Sequence, residues 1–395
     1  MRWHASYRQC GSYSGGSEVR DEVRVAIALV DRANLGRLLP LMEAMRDERR
    51  VTALHIICGG STVLERFKSP ADDVEADGYI VHRVWSEFEG DKPIAKARSL
   101  GQTCQDYAAK LQEIEPDVLI LIGDRYEALG VACAAATMRV PVVHLQGGEV
   151  SGALDERYRH AISKMADWHV PATERARNNL IRMGERQESI LAVGCPFADL
   201  AAKVAVGEPL RPYVLVCYHP DTTCGERAGD EIREVLSAVD RIAIDAKLLW
   251  PNIDAFSGDV AKRIRQWLEM PGSFRWQTIK NLSPMDYAQT LASAACAVGN
   301  SSSFVRDAGY FGTPVVLVGD RQQGRERGEN VTPVPANVTA ICGAIQSQLS
   351  HGRYPPSDLY GKPGISKRIV ERLLTLEPYG QKRLAYAEQP QEALA

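Results

Sequence analysis

The chain has 395 residues, 45% of them hydrophobic and 25% charged, the profile of an ordinary globular protein long enough for two cores. A formal net charge of −3 supplies no basic field for nucleic acid or anionic lipid, and no apolar run reaches the ~20 residues of a membrane helix. The nine cysteines form no C-x-x-C pair, which speaks against a disulfide framework or a zinc site and fits a reducing cytoplasm.

Residues 1–21 are polar and Gly/Ser-rich, without the apolar segment of a secretory signal, and read as a flexible leader. Short apolar runs followed by amphipathic stretches then recur, the pattern of parallel strands joined by crossover helices. Val23–Asp31 is a predicted strand and Leu35–Arg46 the helix behind it. Val51–Cys58 is a second strand, Leu100–Glu115 a helix, and Asp117–Ile122 a buried strand ending at Gly123-Asp124-Arg125. Ala128–Met138 continues as helix and Val140–Leu145 as strand, and Ser163 to Val170 leads into a further unit ending near Val193-Gly194-Cys195-Pro196.

A second series follows the Gly207-Glu208-Pro209 break. Its strands are Tyr213–Tyr218, Lys247–Trp250, Cys296–Val298 and Val315–Val318, and its helices Gly229–Ile244, Pro284–Ala294 and Phe304–Phe311. The expected domains are therefore 22–206 and 207–376. A helix at Lys367–Leu376 and the segment 377–395 are expected to pack back on the first domain, with a frayed end from Gln389. The fold class is α/β.

Ligands of open parallel sheets bind at the carboxyl ends of the strands, and several polar clusters fall there. Gly299-Asn300-Ser301-Ser302-Ser303 opens a predicted helix, where hydroxyls and free N–H groups suit a phosphate. A plain N-cap is the competing reading, although three consecutive serines exceed what a cap requires. Asp307, six residues past Ser301, is placed for a ribose hydroxyl or is a solvated helix charge. The loop Asp320 to Asn330 follows a strand, so its arginines can neutralise a diphosphate, or it is a charged surface loop.

In the first half, Asp124 terminates a buried strand, and His144 to Glu149 follows another. Asp155-Glu156-Arg157 and Arg159-His160 come next. Carboxylates gathered there can move a proton, while ion pairing at a helix start is the bland alternative. His219 and the run Pro251-Asn252-Ile253-Asp254 sit at two further strand ends. A lone histidine is more often structural, but this one lies where the cleft is expected.

Taken in order, these clusters closely resemble the hydrolysing UDP-N-acetylglucosamine 2-epimerases of sialic-acid synthesis, and most nearly the epimerase half of the bifunctional animal epimerase/kinase. The resemblance is carried by Asp31-Arg32-Ala33, Gly123-Asp124-Arg125, Gly147 to Gly152, Arg159 to Ile162, Gly194-Cys195-Pro196, His219-Pro220, Pro251 to Ala255, Gly299 to Ser302, and Arg321-Gln322 through Glu329-Asn330. It implies a GT-B architecture of two Rossmann-like domains closing over a UDP-amino sugar, a homodimer or homotetramer, and no cofactor or metal. Through the same resemblance, Ser301, Ser302 and Asp307 hold the nucleotide. Arg32 and Arg321 sit at the diphosphate, and His219 contacts phosphate. Asp124 and Asp155 are acid–base groups, and Arg125, Gln146 and Asn252 join the sugar site.

Three departures accompany the likeness. Asn34 stands where the family usually has an acidic residue, and Gly60-Ser61-Thr62 replaces a Gly-Ser-His run. Gln146 stands where the nearest relatives place a catalytic glutamate. An amide accepts no proton at neutral pH, so the base falls to Glu149, Asp124 or Asp155. The expected reaction is inversion at carbon 2 of UDP-GlcNAc, giving ManNAc plus UDP or UDP-ManNAc. The alternatives are a glycosyltransferase of the same architecture, which turns over only with an acceptor, and an inactive UDP-sugar sensor.

Overall fold

The computed structural model describes residues 22–207, 211–270, 275–376 and 381–388. The expected leader, Glu208-Pro209 of the expected break and the terminus from Gln389 lie outside the described residues.

The first sheet is built from β1 (Val23–Leu29), β2 (Val51–Cys58), β3 (Ile80–Arg83), β4 (Val118–Ile122), β5 (Val142–Leu145) and β6 (Trp168–Val170), in the order β3-β2-β1-β4-β5-β6. A second sheet of β7 (Tyr213–Cys217), β8 (Asp245–Leu249), β9 (Trp276–Ile279), β10 (Cys296–Gly299), β11 (Val315–Val318) and β12 (Val331–Val334) runs β12-β11-β10-β7-β8-β9. Every strand pair is parallel. Renumbered within its own half, each sheet is ordered 3-2-1-4-5-6, the doubly wound arrangement. The molecule thus contains two Rossmann-like domains.

Burial follows sequence pattern. β4 and β7, central in their sheets, are buried at every position, as apolar runs between two helical layers must be. The edge strands β3, β9 and β12 escaped the sequence reading because an edge needs no continuous apolar run. Ile80-Val81-His82-Arg83, Trp276-Gln277-Thr278-Ile279 and Val331-Thr332-Pro333-Val334 are all partly solvated, and Pro333 is tolerated only at such an edge. The long helix α3 (Pro93–Ile114) begins seven residues before the expected Leu100, with proline at its first turn.

The expected helix Phe304–Phe311 is a correction. It divides into α11 (Ser302–Arg306) and a 3-10 turn at Ala308–Phe311. Arg306 and Asp307 at the break both turn into buried ion pairs, and Gly309 weakens helix continuation. Val193 to Pro196, the expected end of an αβ unit, is irregular chain beyond β6.

Helix α13 (Ile365–Leu373) follows the second sheet in the chain but joins the core of the first. Ile365, Ile369 and Leu373 recur at helical spacing and pack among β1, β4 and α1 (Leu35–Arg46). Beyond it, Lys382 donates to the Ser163 carbonyl at 3.0 Å and Ala385 N–H to Gly184 O at 2.9 Å, so the described part of the last segment also lies on the first domain. No described helix is long and apolar enough to cross a membrane.

Candidate active site

Strand order reverses between β1 and β4 in one domain and between β7 and β10 in the other. Loops leaving neighbouring strands at such a switch diverge and leave a crevice. The two crevices face each other across a cleft open to solvent, the kind of concave site in which small molecules bind. All the candidate residues line it except Glu149: Arg32, Asp124, Arg125, Gln146, Asp155, His219, Asn252, Ser301, Ser302, Asp307 and Arg321.

From β1 the chain passes to Asp31, whose carboxylate accepts from Ala33 N–H at 3.0 Å and caps the following turn. That turn projects Arg32 across the cleft. Its guanidinium donates to the Trp250 carbonyl at 2.7 Å and to Lys280 O, and lies 4.2 Å from the Phe67 ring centroid. After β4, Asp124 is gripped by Arg159 from α5 (Asp155–Met165), and Arg125 is held by Glu127 at 2.9 Å and by Asp254 of the other domain at 2.5 Å. Gln146 follows β5 with a φ of 67°, a left-handed backbone that costs a non-glycine residue energy and clusters at functional sites. Its amide nitrogen donates to Cys195 Sγ at 3.2 Å. Asp155 opens α5.

In the second domain, Asn300 fixes His219 by its backbone. The Asn300 side chain accepts from His219 N–H at 2.7 Å and donates to His219 O at 2.7 Å. Gly299, just before it, has a φ of 143°, and a Cβ there would lie 1.9 Å from the Cys217 carbonyl. Only glycine lets β10 pass this close to β7. Ser301 caps α11, and Asn252 reaches back to Asp31, 2.9 Å from each carboxylate oxygen. Asp307 pairs with Arg37 at 2.9 Å, leaving its Oδ1 buried without a partner.

The electrostatics divide the carboxylates. Burial raises Asp155, the negative charge of Asp124 adds to this, and together they outweigh Arg321 and push the group up to about 7. Burial acts on Asp124 too, but Arg159 and Arg325 overcome it and hold Asp124 well below the usual carboxylate range. Asp254 is likewise buried, and Arg125 and Arg321 bring it down to about 2. Burial, with Arg321 nearby, lowers His219 to about 3, so the imidazole is neutral. One carboxyl in the cleft therefore exchanges a proton near neutral pH while its neighbour stays ionised, a division that marks acid–base pairs.

The cleft arginines differ as well. Arg37, Arg125, Arg306 and Arg325 are each hydrogen-bonded to a carboxylate. Arg32 bonds only backbone carbonyls, and Arg321 stands 3.8 Å from both Asp155 and Asp254. Among the described residues, these are the two lining arginines free of a hydrogen-bonded carboxylate.

Glu149, the remaining candidate, does not line the cavity. It sits behind the cavity wall with its carboxylate taken up by Arg306 and Arg325, which outweigh burial and lower its pKa. Asp31, Asp254 and Arg325 line the cavity and were read from sequence only as members of their motifs, while Arg37 and Arg306, which also line it, were not read at all. For Asp254 the signal was present, since it ends the strand-end run Pro251 to Asp254. Arg37 and Arg306 lie within helical stretches and carried none. No group of three His, Cys, Asp or Glu side chains among the described residues is placed to hold a metal ion.

A family model described as UDP-N-acetylglucosamine 2-epimerase matches residues 46–374. The UDP-N,N'-diacetylbacillosamine 2-epimerase (hydrolyzing) of Legionella pneumophila is 29% identical over 362 residues, covering 89% of this chain and 95% of that protein. The UDP-N-acetylglucosamine 2-epimerase of Neisseria meningitidis is 27% identical over 351 residues, covering 86% and 91%. A solved Neisseria meningitidis UDP-GlcNAc 2-epimerase bound to UDP-GlcNAc is similar with a TM-score of 0.71 and 15% identity, over 89% of this chain and 100% of that one. The Methanocaldococcus jannaschii enzyme in complex with UDP-GlcNAc and UDP has a TM-score of 0.73 and 17% identity, over 89% and 99%. These likenesses show a shared GT-B-like fold.

Proposed function

The chain belongs to the UDP-N-acetylglucosamine 2-epimerase family, and from that premise we propose that it inverts carbon 2 of UDP-GlcNAc or a related UDP-linked acetamido sugar, in bacterial amino-sugar biosynthesis. The observation that carries this reading is the carboxyl pair: Asp155, raised toward neutrality, with Asp124 held ionised, both lining the same cleft as the two arginines without a hydrogen-bonded carboxylate.

In this reading Arg32 and Arg321 bind the diphosphate, and neutral His219 donates to it. Ser301 and Ser302 hold the nucleotide, and the unpartnered Asp307 oxygen accepts from a ribose hydroxyl. Arg125 and Asn252 hold the sugar end through Asp254 and Asp31, and Gln146 contacts the sugar as a neutral amide. Asp155, ionised, takes the proton from carbon 2. The C–H electrons form a double bond to carbon 1, and the C1–O electrons leave with UDP. Asp124 stabilises the positive charge that develops at carbon 1. The double-bond electrons then take a proton from a water at the opposite face of carbon 2, leaving hydroxide. Either UDP adds at carbon 1 while the hydroxide takes back the proton held by Asp155, or a second water adds there, its proton going to the hydroxide and that of Asp155 to solvent.

Addition of water gives ManNAc plus UDP, and addition of UDP gives UDP-ManNAc. The relatives named as hydrolyzing support the first outcome. A cytoplasmic homodimer or homotetramer, with domains divided near residues 206 and 207, completes the reading on the strength of the resemblance.

The test is incubation with UDP-GlcNAc in deuterium oxide, with carbon 2 and the anomeric signals followed by NMR. Deuterium at carbon 2 in a manno product is expected, with free UDP marking hydrolysis. Binding without exchange or UDP release would sink the proposal.

A further inference from the structure

Glu149 is 6% exposed, yet among the described residues its carboxylate has no hydrogen bond from its own domain. Both oxygens face the second domain. Arg306 Nη1 lies 2.8 and 3.0 Å from them, and Arg325 Nη1 donates to Oε2. Arg306 ends α11 and Arg325 lies in the loop after β11, and both line the cavity at 5% and 6% exposure. Among the described residues Arg306 has no other carboxylate within hydrogen-bond distance, and the second carboxylate of Arg325 is Asp124 at 3.9 Å.

Two other residues bonded across the cleft keep partners at home, whereas Asp307, bonded to Arg37, does not among the described residues. Arg125 keeps Glu127 on its own domain, and Asp31 keeps Ala33 N–H. Arg159 attracts Glu149 from its own domain and Asp307 attracts Arg306 from its own, but among the described residues the hydrogen bonds of the Glu149 carboxylate form only with the domains together. Apart, all three charges return to water; together, each depends on the others.

We propose that Glu149 is a closure latch: a positioning residue that holds the two domains together over the ligand and sets Arg306 and Arg325 in the cavity wall. It touches no reacting atom. Arg325 also reaches Asp124, so closing the latch completes the charge environment of the carboxyl pair. This inference rests on the nucleotide-sugar reading of the cleft.

The experiment compares the full chain with Glu149→Gln and Glu149→Asp. UDP binding is read by calorimetry, domain closure by small-angle scattering with and without saturating UDP, and kcat and KM are taken as a function of pH. The parent is expected to contract with UDP. Glu149→Gln should weaken UDP binding on the order of 100-fold by stranding two buried guanidiniums, and contract less. Its kcat at saturation should keep the acid limb of the parent, and Glu149→Asp, which retains the charge, should recover part of the affinity.

Parent-like binding and contraction in Glu149→Gln would overturn the latch. So would parent-like closure with an abolished acid limb, which would make Glu149 the base. Failure of both variants to fold would overturn it as well, because a latch is dispensable to either domain alone. Absence of UDP binding by the parent itself would refute the nucleotide reading, and the latch with it.

Discussion

Asp155→Asn removes a charge that burial and the neighbouring Asp124 both oppose, so at pH 8 the substituted protein should unfold at a higher temperature than its parent. The folded-state pKa of about 7, against 3.8 for the free side chain, is a difference of about three units, each worth about 1.4 kcal/mol. The sign follows from which state holds the proton. Because the folded value is the raised one, the native state binds the proton more tightly. Stability is therefore fully present below about pH 4 and lost as pH rises toward 7.

Above pH 7 the ionised parent carries an upper bound of about 4 kcal/mol of strain at this site, falling to about 2 kcal/mol near pH 5. The side chain keeps 20% of its surface exposed. Water therefore screens part of the effect, and about 2 kcal/mol is the working figure at pH 8. For a unit of 150–250 residues that corresponds to roughly 4–8 °C in Tm.

Differential scanning calorimetry at pH 5 and 8 reads the effect directly. The gain should shrink toward pH 5, while NMR in deuterium oxide should show turnover down by about 10²-fold or more. A Tm gain that is absent, or equal at both pH values, would refute the argument that Asp155 is held out of its preferred protonation state. Stability opposed to activity is expected where a catalytic group is strained by its surroundings.

In the parent, kcat/KM should fall on the acid side through an apparent pKa near 7, because the base must be ionised, and Asp155→Asn should remove that limb. A profile flat from pH 6 to 8 would count against Asp155 as the base. Arg32→Ala and Arg321→Ala should each weaken UDP binding by about 10- to 100-fold in titration calorimetry, with smaller losses at high salt showing the charge component. Asn300→Ala frees the His219 backbone of both its clamps, so kcat should drop by about 10-fold or more with Tm lowered by a few degrees. Unchanged kinetics would show that His219 needs no such anchor. Gly299→Ala forces a Cβ to within 1.9 Å of the Cys217 carbonyl in a backbone region disfavoured for alanine. Destabilisation beyond ~3 kcal/mol, or insoluble protein on expression, is expected.

Much of this molecule was legible along the chain because its physics is local. Central strands such as Val118–Ile122 are buried on both faces and must be apolar throughout, so they stand out without knowledge of their neighbours. The loops after them must carry the ligand groups, which placed Asp124, His219 and the serines of Gly299 to Ser303 at the cleft. Order and spacing of those clusters pointed to the family.

What the chain alone did not decide was pairing across distance. Edge strands lack a continuous apolar signature, and the core membership of α13 depends on a return of the chain that no local pattern encodes. The same holds for chemistry. Asp124, Glu149 and Asp155 are equivalent as carboxylates in the segments that follow β4 and β5, and only their surroundings separate them. Arginines from distant segments keep Asp124 ionised, bury Glu149 in a cross-domain pair, and leave Asp155 outweighed by burial and a like charge. A residue type fixes which proton can move; the low-dielectric arrangement of charges, which exists only once both domains have folded and met, decides at which pH it does.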